Sequence, residues 1–347
     1  MSRRAIASLI VIVIILGALW GLTRYQRARK TQELLSKLAV KDEAEAMDAL
    51  EQLRHRGASL SARLIEHLRS DQPRVRWRAA LLIGEIGTRN PEVISALLKL
   101  CADEDRDVRK AALLSCGRLG LREAVVAIND VIADVNAPPD LRAAAATAAG
   151  LLKSKEAVQP LGALLKDHGA TKTEQETAQQ PQGGSQGSQQ PSPGGQTGQA
   201  TQKAAASPPP AQAEPPELWQ ARMEAAWALG QIGTPEAIDA LAEAAKDDVE
   251  PNAAVRTAAA YALADAAASP EAHSARSKAV QALVEAMGDE AGDVRIAAAM
   301  SLARTFSPSS IRADVERALR QHLDDDHYWV REAVKYAMRQ LRIAAEG

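Results

Sequence analysis

Apolar and polar positions along this chain recur in a pattern that repeats at intervals of about 33 residues. With the Arg that follows a small apolar residue as reference, one register falls on Arg76, Arg109, Arg142, Arg222, Arg256, Arg295 and Arg331. The position before it is apolar in every copy: Val75, Val108, Leu141, Ala221, Val255, Val294 and Val330. Three residues after it stand Ala79, Ala112, Ala145, Ala225, Ala259, Ala298 and Val334, and seven after it Ile83, Cys116, Ala149, Leu229, Leu263, Leu302 and Met338. Steps of four, four and three draw a single stripe on an α-helix, and alternation with a period of two, which would signal strands, is absent.

Eight residues after the Arg stands Gly84, Gly117, Gly150 or Gly230, giving way to Ala264, Ala303 and Arg339 in later copies. A small residue there either admits a neighbouring backbone or ends the helix in a left-handed conformation. Gly87, Gly120 and Gly233 stop the helix, and Asp107, Asp140 and Asp293 are placed to cap its start. A second apolar helix follows, as in PEVISALLKL from Pro91 and PEAIDALAEAA from Pro235, where Pro suits a first turn. Each unit is a helical hairpin.

The stretch ARMEAAWALGQIGTPEAIDAL from Ala221 carries the pattern most fully. It resembles the HEAT-like repeat of the phycobilisome lyases, and the resemblance extends from Lys41 to the C-terminus apart from one linker. It implies an all-α chain, an α-solenoid of about seven HEAT-like hairpins plus a C-terminal capping helix. It also implies hydrogen bonds between the Asp and Arg at the helix starts of adjacent repeats. Arg74, Gln220, Ala254 and Trp329 replace that Asp, so the ladder is expected to be incomplete.

The remaining segments set the domain plan. After a short tail, residues 1–4, Ala5 to Leu22 run 18 residues without a charge, the length of a transmembrane helix, with Trp20 and Tyr25 as interface anchors. The expectation is a single-pass protein of a bacterial inner membrane. Basic residues on both sides of the segment leave the side of the solenoid open. A juxtamembrane stalk (23–42) and the N-terminal repeats (43–167) follow, the first hairpin being a degenerate cap. The Gln/Gly/Ser/Pro-rich tract 168–216 cannot repay its ordering entropy and is expected to be a disordered linker, looped out of one continuous solenoid or tethering two blocks. The C-terminal repeats and cap helix occupy 217–347.

Composition narrows the chemistry. A net charge of −2 argues against a general polyanion-binding surface, and the abundance of Ala, with a single Phe in 347 residues, calls for small-to-small helix packing. Deoxyhypusine hydroxylase, a HEAT-like enzyme, needs paired His-Glu dipeptides for iron. Here the six His are scattered and Glu66-His67 is reversed and single. His322 and His327 flank the acidic turn Asp324 to Asp326, which lacks a ligand set for a cation. Cys101 and Cys116 read as buried thiols rather than a redox pair. No P-loop and no Gly-x-Ser-x-Gly is present, so no catalytic, cofactor-binding or metal residue is assigned.

The candidate partner-binding residues are Trp77, Trp329, Arg331, Lys335, Arg339 and Arg342. Trp77 follows the reference Arg, where it either anchors a partner or packs on the cap hairpin. The four basic residues of the final helix fall on one face, which either meets phosphates or keeps a terminal repeat soluble. The function expected is a membrane-anchored, non-catalytic scaffold that binds a protein partner, with no small-molecule substrate or cofactor. The alternatives are a bilin-lyase-like enzyme or lyase subunit, and lipid or nucleic-acid binding through the basic final helix.

Overall fold

A computed structural model describes residues 3–88, 90–168, 216–305 and 313–344. Among the described residues the chain is all helix and short 3-10 turns, with no strand. A long first helix, α1 (Arg3–Ser36), precedes seven hairpins. These are α2/α3 (Glu43–Arg54, Ser61–Leu68), α4/α5 (Pro73–Ile86, Pro91–Leu100), α6/α7 (Arg106–Leu119, Val125–Ala133), α8/α9 (Pro139–Leu152, Val158–Leu165), α10/α11 (Pro216–Ile232, Pro235–Ala244), α12/α13 (Ala253–Ala268, Arg276–Ala286) and α14/α15 (Gly292–Thr305, Ala313–Gln321). A final helix, α16 (Tyr328–Leu341), closes the stack. This is the α-solenoid that the repeat pattern predicts.

The helices that carry the reference Arg, α4, α6, α8, α10, α12, α14 and α16, pack side by side in one layer, and the second helices form the other. Their apolar stripes meet in one contiguous core running from Leu34 to Leu341. Small residues set the spacing of the Arg-bearing layer. A Cβ on Gly84 would lie 2.5 Å from Ser115 Oγ, one on Gly117 2.8 Å from Ala148 Cα, one on Gly150 2.9 Å from Ala228 Cα and one on Gly230 3.0 Å from Ala262 Cβ. The glycine eight residues after the Arg is therefore a site of close helix approach, the first of its two alternatives. Left-handed helix ends fall instead on Gly87, Gly120 and Gly233, with φ of 71°, 71° and 63°, while Lys153 takes the same conformation where no glycine stands.

The segment 169–215, where the linker was expected, lies outside the described residues. On either side of it α8 and α10 pack directly together. Thr147 Oγ1 donates to Glu224 Oε2 at 2.9 Å across this joint, beside the Gly150–Ala228 contact.

The helix starts differ from expectation in detail. Asp105, not Asp107, caps α6, accepting from the N–H groups of Asp107 and Val108. Asp107 stands inside the first turn, and Asp140 reaches back to Lys110 at 2.9 Å.

The expected membrane anchor is corrected. Among the described residues no helix is long and apolar enough to cross a membrane, which overturns the single-pass inner-membrane localisation and the membrane contact through Ala5 to Leu22. The side chains of residues 5–11 lie outside the described residues. The far end of α1 is core rather than stalk, because Leu34, Leu35 and, in the following turn, Leu38 are buried against the first hairpin.

Gly150 gives a test whose sign is informative. In an open helix, Gly→Ala stabilises by up to about 1 kcal/mol. In this packing Gly150→Ala forces α8 and α10 apart and is predicted to destabilise the full chain by about 1–3 kcal/mol in urea unfolding. A stabilised variant would mean that the two helices do not touch.

Candidate functional site

The reference arginines define the joints between repeats. Arg76 donates from Nε and Nη2 to both carboxylate oxygens of Asp103 at 2.8 Å, and from Nη1 to the carbonyl of Ser70 in its own loop at 2.9 Å. Arg256 holds Asp289 at 2.7 and 2.9 Å and the carbonyls of Glu250 and Pro251. Arg295 holds Asp325 at 2.9 and 2.8 Å and the carbonyls of Asp289 and Glu290. Each loop is thus held twice: the preceding Arg takes its carboxylate, and its own Arg takes its carbonyls. The same carboxylates also cap the loop. Asp103 accepts from the N–H of Asp105, Asp289 from that of Ala291 and Asp325 from that of His327.

This corrects the ladder expected from the Asp two residues before the Arg. The acceptors stand six residues before the next reference Arg: Asp103, Glu250, Asp289 and Asp325. That spacing was present in the sequence as a regular signal. Asn136 occupies the position after Arg109, which accordingly grips its own loop's carbonyls, Asp103 O at 2.8 Å and Glu104 O at 3.4 Å. At the joint next to residues 169–215, Arg142 donates to Asp167 at 2.5 Å, and Arg222 meets both His168 Nδ1 at 2.7 Å and Glu250 at 2.5 Å.

A second feature is the outward face of the Arg-bearing layer. Five residues after each reference Arg, off the core stripe, stand Leu81, Leu114, Thr147, Trp227, Tyr261, Met300 and Tyr336, of which Trp227, Tyr261 and Met300 rest against the edge of the core. All but Tyr336, which is exposed, are half-buried. Trp227 and Tyr261, on adjacent helices, stack with centroids 6.3 Å apart and planes 9° from parallel. Met223, Ile296 and Trp77, one residue after the Arg, extend the same face. Sequence reasoning followed the core stripe and passed over this column, although its apolar character is plain at the fifth position.

The predicted partner-binding residues are not brought together as one patch. Trp77 is half-buried against the core, with the Arg78 guanidinium 5.3 Å from its ring centroid. Arg78, which the sequence reading missed, is 2% exposed and ties α4 to the N-terminal cap through the carbonyls of Leu38 and Val40, both at 2.8 Å, and through Glu43. Trp329 is 63% exposed at the end of the stack, edge-on to Tyr328 at 5.0 Å. Arg331 turns back to the carbonyls of Asp325 and Asp326, Lys335 pairs with Glu332 at 3.0 Å, Arg339 is exposed, and Arg342 lies past the helix end in a left-handed conformation. The acidic turn beside His322 serves the joint, since Asp325 accepts from both Arg295 and His322.

Cys101 and Cys116 are buried with sulfurs 3.7 Å apart. The contact with Cys101, together with burial, holds the Cys116 thiol well above the ordinary range.

This layered stack of helical hairpins is an α-solenoid whose repeats are joined by arginine clamps. The chain belongs to the HEAT-repeat family, whose model, described as HEAT repeats, matches residues 61–138, 213–264 and 249–339. Among solved structures it is similar to the complex of CpcE and CpcF of phycocyanin lyase from Nostoc sp. PCC7120, at 22% identity and a TM-score of 0.41 over 80% of this chain and 93% of that one. It is also similar to human deoxyhypusine hydroxylase in complex with glycerol, at 21% identity and a TM-score of 0.29 over 83% and 97%. An engineered protein matches at 20% identity and a TM-score of 0.35 over 81% and 95%. At these values the likenesses say nothing about activity. No curated protein matches the chain.

The clamps make stability sensitive to acid. Burial raises the carboxyls of Asp103 and Asp325, but the arginine and N–H donors around them more than offset this and hold both below the usual carboxylate range. Groups that ionise at lower pH when folded contribute fully above their unfolded value of about 3.9, and that contribution is lost as pH falls through the folded values. The thermal midpoint is predicted to be level from pH 7 to 5 and to fall below about pH 4. In Asp325→Asn it should start lower and fall less steeply. An equal fall in the variant would assign the acid response elsewhere.

Proposed function

We propose that the protein is a binding scaffold that receives an amphipathic or apolar segment of another protein across the outward face of its Arg-bearing helices. The observation that carries this is the fifth-position column, where six of the seven residues, Leu81, Leu114, Trp227, Tyr261, Met300 and Tyr336, are apolar or aromatic yet not fully buried, Trp227, Tyr261 and Met300 resting against the edge of the core. Aromatic and Met side chains at a half-buried surface are the residue types that concentrate binding energy, and Met adapts its shape to a partner. The clamped joints fix the spacing of the column, so a partner meets a pre-ordered surface and the ordering cost falls. The HEAT repeat supports a protein partner in general, because stacked hairpins present a surface several repeats long.

A photo-crosslinking amino acid tests the reading when placed at Tyr261 and, as a control, at Val126, which is 71% exposed on a second helix. In cells that make the protein naturally, a discrete adduct is expected from position 261 and not from 126, and Trp227→Ser should abolish it. Equal labelling from both positions, or an adduct indifferent to Trp227→Ser, would exclude this face.

A further inference from the structure

Where α1 meets the first hairpin, a cleft of about 630 Å³ opens at the N-terminal end of the stack. Its walls carry Arg24 and Arg27 from α1, His55 and Arg56 from the end of α2, and Arg63 from α3. No carboxylate lines it. Glu51, the partner of the lining His55, is engaged by Arg54 and by His55 at 3.2 Å, and the lining Gln52 is turned toward Asp48 at 2.8 Å. In a chain whose net charge is −2, four guanidiniums around one cavity are a local excess that composition does not impose.

One of the four is fixed in place. Arg56 donates from Nη1 to Thr31 Oγ1 at 2.5 Å and to the carbonyl of Arg27 at 3.2 Å, so its position is set by α1 itself. Thr31 is in turn anchored to the same carbonyl at 2.7 Å. Arg24 lies against the Trp20 ring, 5.2 Å from its centroid. Guanidinium forks match the oxygens of carboxylate and phosphate. Mutual repulsion among four of them is relieved most by a ligand carrying more than one negative charge on a single centre.

We propose that this cleft binds a phosphate dianion, presented either as a free phosphate compound or as the phosphomonoester headgroup of a lipid. The site is independent of the outward face described above, lying at the end of the stack and using charge where that face uses apolar contact.

The full chain and an Arg24→Gln, Arg27→Gln, Arg63→Gln variant are compared in two assays. The three side chains are exposed, and the carbonyl of Arg27 that holds Arg56 is kept, so the variant is expected to retain its circular dichroism and thermal midpoint. Calorimetric titration with inorganic pyrophosphate reports the free anion. Co-sedimentation with phosphatidylcholine vesicles, with and without phosphatidic acid, reports the headgroup. The proposal expects binding in at least one assay, weakened at least about tenfold in the variant and weakened by added salt, as guanidinium–phosphate contacts require. Pyrophosphate binding alone identifies a free phosphate ligand, and binding that depends on phosphatidic acid identifies a headgroup. Binding of neither probe, equal binding by the variant, or equal sedimentation with and without phosphatidic acid overturns it.

Discussion

Guanidiniums buried or half-buried at the repeat joints are the constraint on which this solenoid depends. Arg256 is almost wholly inaccessible to water, and a charge in that position is tolerable only when its donors are matched by acceptors. The chain meets the demand with one loop geometry used repeatedly. A carboxylate six residues before the next Arg turns back to cap its own loop and offers its oxygens to the preceding Arg, while the loop's carbonyls face their own Arg. The connection between hairpins, ordinarily the most variable part of a repeat, becomes its most determined part. Stacking of one repeat on the next is thereby fixed in register.

Close packing completes what the clamps begin. With Gly or another small residue at the contact, backbones of adjacent Arg-bearing helices approach until a single added methyl would not fit. The column of outward side chains is then drawn into a continuous surface, and rings such as Trp227 and Tyr261 meet across a joint. The binding face is a consequence of the same spacing that builds the core.

Most of the architecture was legible because the period is carried by residue types with a physical duty at fixed offsets. The apolar positions at −1, +3 and +7 gave six hairpins and a closing helix behind a first hairpin that lacks the Arg, and Gly87, Gly120 and Gly233 marked helix ends. The joint chemistry is less legible because the Asp two residues before the Arg, present in three copies, has the spacing of a ladder without making one. The true acceptors are a mixture of Asp and Glu on the loop, and one copy has Asn136. Arg78 was invisible to the repeat pattern because its partners, the carbonyls of Leu38 and Val40, lie outside the repeats. In the final helix Arg331 closes the last loop and Arg342 lies past the helix end, placements that the spacing of the basic residues does not carry. Hydropathy suggested a membrane anchor over Ala5 to Leu22, whereas no helix among the described residues is long and apolar enough to cross a membrane.

The claim that buried arginine–carboxylate pairs couple neighbouring repeats is tested most directly by a double-mutant cycle on Arg256 and Asp289, using urea unfolding of the wild type, each alanine variant and the pair. Removing either partner alone strands a buried charge or its acceptor, so the account predicts a coupling energy of at least about 2 kcal/mol. A coupling within about 0.5 kcal/mol of zero would show that the two side chains act independently, and the clamp would not be what holds the repeats in register.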